Sequence, residues 1–212
     1  MTESTADPKS IVAWGYDRIA ERYAAWAGQV RVEERERYTR VLLDSVPAGA
    51  PVLELGCGTG LPTTRRLAER FAVTAVDLSE RQVELARGNV PAATIVHGDM
   101  SALDFPEASF AAVAAFYSIT HVPREEHARL LERVARWLRP GGLLVAALGA
   151  RSSVGAVEED WLGAPMYFSH YDAETNRRLV ERAGLGIASA RVETADEDGV
   201  PTPFLWVVAR KP

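Results

Sequence analysis

The chain has 212 residues, 47% hydrophobic and 25% charged, the make-up of an ordinary globular protein long enough for one domain with a sizeable core. A formal net charge of −5 argues against a large nucleic-acid footprint, which needs clustered basic surface, and favours a small-molecule substrate. One cysteine, Cys57, leaves no internal disulfide and no cysteine-rich metal site, so a reducing, cytoplasmic setting without a bound metal is expected.

The polar start, Met1-Thr2-Glu3-Ser4-Thr5-Ala6-Asp7, lacks the basic and apolar regions of a secretory leader. Asp7-Pro8 then reads as a helix start, with Asp as N-cap and Pro in the first turn. Ile11, Trp14 or Gly15, Ile19 and Tyr23 follow at near-helical spacing. A second polar helix spans about Val32 to Ser45, and Pro47-Ala48-Gly49-Ala50-Pro51 breaks it off. From there short apolar runs alternate with helical segments. The runs are Val52–Leu55, Ala72–Val76, Ala93–Val96, Phe110–Phe116 and Leu143–Leu148, and the helices Pro62–Arg70, Glu80–Gly88 and Pro123–Leu138. Ser79-Glu80-Arg81-Gln82 fits a capping box, and Leu138-Arg139-Pro140-Gly141-Gly142 stops the helix before the fifth run. The longest uncharged apolar stretch, Gly141–Ala150, is far short of the roughly 20 residues that cross a bilayer, so no membrane partner is expected. Repeated strand, helix, strand implies an α/β fold, a doubly wound and mostly parallel sheet covered on both faces.

Arg151–Tyr171 is too long for an ordinary connection and reads as a lid or binding loop. A helix over Ala173–Ala183 ends at Gly184, and Ile187–Val192 and Phe204–Ala209 form a terminal antiparallel hairpin, with Glu193–Asp198 between them as a solvated loop. The division is thus a helical cap over 1–46, a cofactor-binding core over 47–150, a substrate lid over 151–171 and a C-terminal helix and hairpin over 172–212, all in one domain. A monomer or homodimer is expected.

In an open α/β sheet, ligands sit beyond the carboxyl ends of the strands, where strand order reverses. Gly56-Cys57-Gly58-Thr59-Gly60 follows the first strand and precedes a helix, so it is a binding candidate. A dinucleotide fingerprint needs a third glycine where Leu61 stands, and a phosphate-binding P-loop needs a lysine, whereas the chain's lysines are Lys9 and Lys211. Adding Glu54, the segment is Glu-x-Gly-x-Gly-x-Gly, and Asp77 closes the second strand.

Here the sequence resembles the class I S-adenosylmethionine-dependent methyltransferase family, whose first motif matches Val52–Gly60 without a gap. Asp77, Gly98-Asp99-Met100 and Leu138–Gly142 match the family's later motifs. The resemblance implies a Rossmann-like, seven-stranded, mostly parallel sheet of order 3-2-1-4-5-7-6, last strand antiparallel, with an N-terminal helical cap. It also implies S-adenosylmethionine as cofactor and S-adenosylhomocysteine as product. An ionised Asp77 suits the two ribose hydroxyls, Asp99 the adenine amino group, Leu78 and Met100 the ring, and acidic Glu54 the cationic ligand. Gly56, Cys57 and Gly58 belong to the cofactor loop, Cys57 as a small loop residue without a nucleophilic role.

Tyr16 and Tyr23 are two helical turns apart and share a face, which the resemblance places over the methionine part of the ligand. Phe116 follows the fourth strand and is expected to touch the cofactor, with Tyr117 beside the substrate. His121 is a candidate base for an oxygen or nitrogen nucleophile, and His170 a second. Trp161, Met166 and Tyr167 of the lid are candidate substrate contacts. The reaction expected is methyl transfer to an O, N or C atom of a small molecule. The alternatives are a nicotinamide-dependent oxidoreductase, disfavoured by the loop spacing and the lack of a Tyr-x-x-x-Lys pair, and a binding protein or non-methylating enzyme on the same fold.

Overall fold

Strand β1 (Pro51–Leu55) sends Val52 into one apolar layer and Leu53 and Leu55 into the other. The same period-two alternation runs through β5 (Leu138–Gly149), with Leu143, Val145 and Ala147 on one side and Leu144, Ala146 and Leu148 on the other. A strand apolar on both faces must be covered on both, as parallel sheets require. Helices α2 (Val32–Ser45), α3 (Thr63–Ala68) and α4 (Glu80–Asn89) cover one face, and α5 (His127–Trp137) and α6 (Ala173–Arg182) the other. The computed structural model describes residues 7–212. The polar start, on which the expectation of no secretory leader rests, lies outside them but for Asp7.

The sheet order is β3-β2-β1-β4-β5-β9-β8, with β2 at Ala72–Asp77, β3 at Thr94–His97, β4 at Phe110–Ala115, β8 at Gly186–Glu197 and β9 at Val200–Arg210. The first five strands are parallel neighbours, and β9 runs antiparallel to both β5 and β8. The remaining strands, β6 (Ser153–Trp161) and β7 (Ala164–His170), form a separate ribbon. Counting only the strands of the main sheet, the order is 3-2-1-4-5-7-6. It reverses between β1 and β4, so the carboxyl ends of β1, β2 and β4 open onto one crevice.

Helix α1 (Pro8–Ala27) begins as its sequence dictates, Asp7 Oδ2 accepting from the Ser10 amide at 3.1 Å. It lies on β7, where Gly15 is so close to the ribbon that a Cβ there would sit 2.5 Å from the Pro165 carbonyl oxygen. Of the two expected positions, Gly15 is therefore the buried one, while Trp14 is exposed beneath the Arg18 guanidinium. The helix expected over Pro123–Leu138 opens with a 3-10 turn at Arg124–Glu126 and becomes α-helical at His127.

Two expectations are corrected. Arg151–Tyr171 is not an irregular loop but the β6–β7 ribbon, closed by Leu162-Gly163 with φ of 53° and 93°, the two left-handed residues of a tight hairpin turn. Glu193–Asp198 is not a solvated loop. Strands β8 and β9 continue through it to an Asp198-Gly199 turn, with φ of 52° and 87°. Its carboxylates fasten the hairpin tip to the cap. Glu193 accepts from Arg37 at 2.7 Å and from the Tyr38 hydroxyl at 2.8 Å, Glu197 accepts from Arg31, and Asp198 accepts from Trp26 Nε1 at 3.0 Å. Among the described residues no helix is long and apolar enough to cross a membrane, and no three His, Cys, Asp or Glu side chains group to hold a metal.

Candidate active site

The glycine loop is pinned to the end of β2. The amides of Gly56 and Cys57 donate to the Val76 carbonyl at 2.8 and 3.0 Å, and the Gly58 amide donates to Asp77 Oδ2 at 2.7 Å. Asp77 Oδ1 accepts from the Ser79 amide at 3.0 Å. Burial nevertheless pushes the Asp77 carboxyl above its usual value, against the backbone amides that favour its ionised form. Gly56 has a φ of 78°, and a Cβ there would lie 2.2 Å from Ser118 Cβ. Only glycine lets the loops after β1 and β4 meet this closely, and Ser118 Oγ completes the junction by donating to the Leu55 carbonyl at 2.6 Å.

Above this junction is a cavity of about 60 Å³. Gly56, Gly58, Asp77, Leu78, Asp99, Met100 and Phe116 line it from the sheet side, and Tyr16 and Tyr23 from α1. Glu54 and Cys57 lie under the loop instead. Glu54, 3% exposed, packs in the layer beneath with Oε2 unpartnered, and burial pushes its carboxyl up to about 8. The buried Cys57 thiol is likewise pushed up by burial, so it is no thiolate nucleophile.

Other lining residues had no functional signal in the sequence. Gln82, read as the return arm of a capping box, does not play that part. Ser79 Oγ accepts from the Gln82 amide at 3.1 Å, but the Gln82 side chain, 0% exposed, lines the cavity with neither Nε2 nor Oε1 partnered. Lys9 reaches down from α1 to Asp99 Oδ2 (2.8 Å), Ser101 Oγ (2.7 Å) and Glu126 Oε2 (2.7 Å), closing one end. The cavity thus presents an orphaned buried amide, a carboxylate with lone pairs left for a ligand and the flat apolar pair Leu78 and Met100. That donor set suits a ligand carrying hydroxyls and a planar ring.

Tyr16 and His121 stand on the far wall. The His121 Nδ1 lies 2.9 Å from the Tyr167 carbonyl, which can only accept, so Nδ1 carries the proton. Nε2 is then an acceptor, and the Tyr16 hydroxyl donates to it at 2.9 Å. Burial holds His121 down to about 4 and pushes Tyr16 well above its usual range, so both are neutral at pH 7.

Beyond Tyr16, Tyr23, Tyr117 and His121, which line both spaces, lies a second cavity of about 450 Å³. Trp161, Phe168 and His170 face it from the ribbon. His170 is held at this outer space, Nδ1 donating to the Arg151 carbonyl at 2.5 Å, and does not meet the Tyr16–His121 pair. Met166 and Tyr167 face neither cavity. Both side chains are buried between the ribbon and α1, where Met166 packs on Gly15 and Tyr167 offers only its carbonyl, to His121. Tyr117 holds a left-handed φ of 62°, unusual for a bulky side chain, and donates to Glu34 Oε2 at 3.1 Å. Trp26, Arg31 and Arg35, at the junction of α1 and α2, complete the far side.

Residues 52–142 match a family model described as a methyltransferase domain. The 27-O-demethylrifamycin SV methyltransferase of Amycolatopsis mediterranei is 37% identical over 126 residues, covering 55% of this chain and 45% of that protein. The 2-methyl-6-phytyl-1,4-hydroquinone methyltransferase of Synechocystis sp. is 36% identical over 177 residues, covering 78% and 54%. The chain spans about half the length of these curated relatives. Among solved structures, the [4+2]-cyclase SpnF superposes with a TM-score of 0.73 over 94% of both chains at 18% identity, a likeness of fold alone. With the Glu54–Gly60 motif, the acidic ends of β2 and β3 and the sheet order all agreeing with that match, the chain belongs to the class I S-adenosylmethionine-dependent methyltransferase family.

Proposed function

We propose that the chain binds S-adenosylmethionine over the Gly56–Gly58 loop and catalyses methyl transfer to an oxygen, nitrogen or carbon atom of a small molecule in the adjoining cavity. The observation that carries this reading is the pairing of Asp77 with Gln82, a carboxylate and an unpartnered buried amide lining one cavity. The cofactor, when bound, supplies an electrophilic sulfonium methyl group. Asp77 accepts from the ribose hydroxyls while its backbone bonds hold it in place, and Gln82 offers a donor and an acceptor beside it. Asp99 accepts from the adenine amino group once Lys9 lets go of it, with Leu78 and Met100 against the ring.

On the acceptor side, a hydroxyl of the substrate donates to the Tyr16 oxygen while Tyr16 donates to His121 Nε2. A histidine held down to about 4 is a weak base at neutral pH. Alignment therefore carries more of the rate, near-attack positioning being worth roughly 7–11 kcal/mol. His170 acts from the outer cavity on substrate binding.

Incubation with methyl-labelled S-adenosylmethionine and a panel of small aromatic alcohols and acids, hydroquinones included after the Synechocystis relative's name, is the test. Labelled product with stoichiometric S-adenosylhomocysteine is expected. Binding of S-adenosylhomocysteine without label transfer to any panel member favours a second reading, a non-methylating enzyme on this fold. That reading draws on the cyclase named among its structural neighbours.

A further inference from the structure

The geometry points to Arg35 as the anchor for an anionic group of the substrate, so that the second cavity takes a small, largely apolar carboxylic acid. This deepens the methyltransferase reading and rests on it for the role of the cavity. Arg35 is 7% exposed and lines the 450 Å³ cavity. Its Nη1 donates to the carbonyls of Ala27 (2.9 Å) and Val30 (3.4 Å), while Nε and Nη2 make no hydrogen bond among the described residues. No described carboxylate lies within ion-pair distance of it. A buried guanidinium without a counter-charge is costly, and such groups are ordinarily paired.

None of the other charged groups around the cavity is ion-paired with Arg35. Arg31 is bonded to Glu34 and Glu197, and Asp198 to the Trp26 indole N–H. Glu158, exposed on the ribbon, also lines this cavity and is not ion-paired with Arg35. Glu54, the buried acid whose charge Arg35 feels, is itself pushed up to about 8 and is largely protonated at neutral pH, so it does not neutralise Arg35. The guanidinium lies 5.4 Å from the centre of the ring of Tyr117, a residue that lines both cavities. Its free edge presents the planar N–H pair that a carboxylate fits in two parallel bonds. Trp161, Phe168 and Phe204 supply flat apolar surface for the rest of the molecule.

The test is calorimetry on the full chain saturated with S-adenosylhomocysteine, using 2-naphthoate and the isosteric neutral 2-naphthamide, with benzoate and benzamide as a smaller pair. The acids are expected to bind at least tenfold more tightly than their amides. Arg35→Met should bring the ratio to about one and Arg35→Lys should leave it partly restored, with S-adenosylhomocysteine affinity unchanged in both. Because Arg35 also holds two carbonyls of the α1–α2 junction, the acid-to-amide ratio in the unaltered chain stands as a test without any variant. Equal binding of acid and amide there, or an undiminished ratio in a folded Arg35→Met, overturns the assignment. Failure of S-adenosylhomocysteine to bind would instead remove the methyltransferase reading, and the same acid and amide pairs on the unliganded chain would still report on Arg35.

Discussion

Glu54 carries its carboxyl in the layer under the glycine loop, where burial moves its titration from an ordinary 4.5 up to about 8. Between those values the folded chain holds a proton that the unfolded chain has lost, so stability falls as pH rises across that window. The full span is worth on the order of 5 kcal/mol. Glu54→Gln keeps the shape and removes the titration. Its melting temperature relative to wild type should climb steadily from about pH 5 to about pH 8, and parallel melting curves across that range would sink the idea. His121 has the opposite sign. Held down to about 4 against an ordinary 6.5, it contributes stability above 6.5 that is lost as pH falls toward 4. At Asp77 the structure sharpens the choice of variant, because its two oxygens also hold the Gly58 and Ser79 amides. Alanine would loosen the loop as well as remove the proposed ribose contact. Asp77→Asn keeps the volume and one of the two backbone amide bonds, and loses the other together with the charge-assisted pair. Calorimetry should show S-adenosylhomocysteine affinity reduced roughly 10²-fold, two such bonds at about 1.5 kcal/mol each; an affinity within threefold of wild type would refute the ribose role.

Helix α1 is the element on which access depends. It packs on β7 through Gly15, and Lys9 near its start occupies Asp99, the carboxylate proposed to accept from the adenine amino group. Lys9 lines the same cavity as Asp99, so a ligand group that bonds this carboxylate competes with the Lys9 ammonium for it. Lys9→Met removes the competitor for Asp99. A part-exposed ion pair of this kind is worth about 0.2–1 kcal/mol, so S-adenosylhomocysteine should bind up to about fivefold more tightly, with faster amide exchange in the first turns of α1. Weaker binding would show instead that Lys9 supports the ligand. This helix was legible in the sequence because Asp7-Pro8 is a strong start signal, and α4 because Ser79 caps it. The β6–β7 ribbon was not. Its turn, Leu162-Gly163, lacks the Asn-Gly or Asp-Gly pair that marks such hairpins, and β6 is largely exposed and carries Glu158, Glu159 and Asp160. Strands β8 and β9 do have the Asp198-Gly199 turn. There the acidic run looked solvated because its arginine partners, Arg31 and Arg37, lie more than 150 residues earlier.

At the scale of the molecule, the sheet order brings together the ends of β1, β2 and β4, which is why the glycine loop, Asp77 and Phe116 could be assigned to one site from their places along the chain. Gln82, Lys9 and Arg35 could not, since each sits on a helix where capping, solvation or packing is the ordinary role, and only the closed tertiary structure turns them inward. The same closure ties cap to core. Asp17 accepts from Ser79 Oγ at 2.6 Å and from the Arg81 amide at 3.1 Å, Lys9 bridges to Asp99 and Glu126, and Tyr38 and Arg37 hold Glu193 of the far hairpin. With so many joints distributed along it, the cap should not melt separately from the sheet, and a ligand bound at their boundary should stabilise both together. At a concentration about a hundred times its dissociation constant, S-adenosylhomocysteine adds about 2.7 kcal/mol, and a chain of this size gains about 2–4 °C per kcal/mol. A single melting transition displaced upward by roughly 5–10 °C is therefore expected. NAD should leave it in place, and Asp77→Asn should shrink the displacement in step with its lost affinity. Two separate transitions of which one moves would show that cap and core fold as independent units, and an equal displacement by NAD would show that the loop does not discriminate between the two ligands.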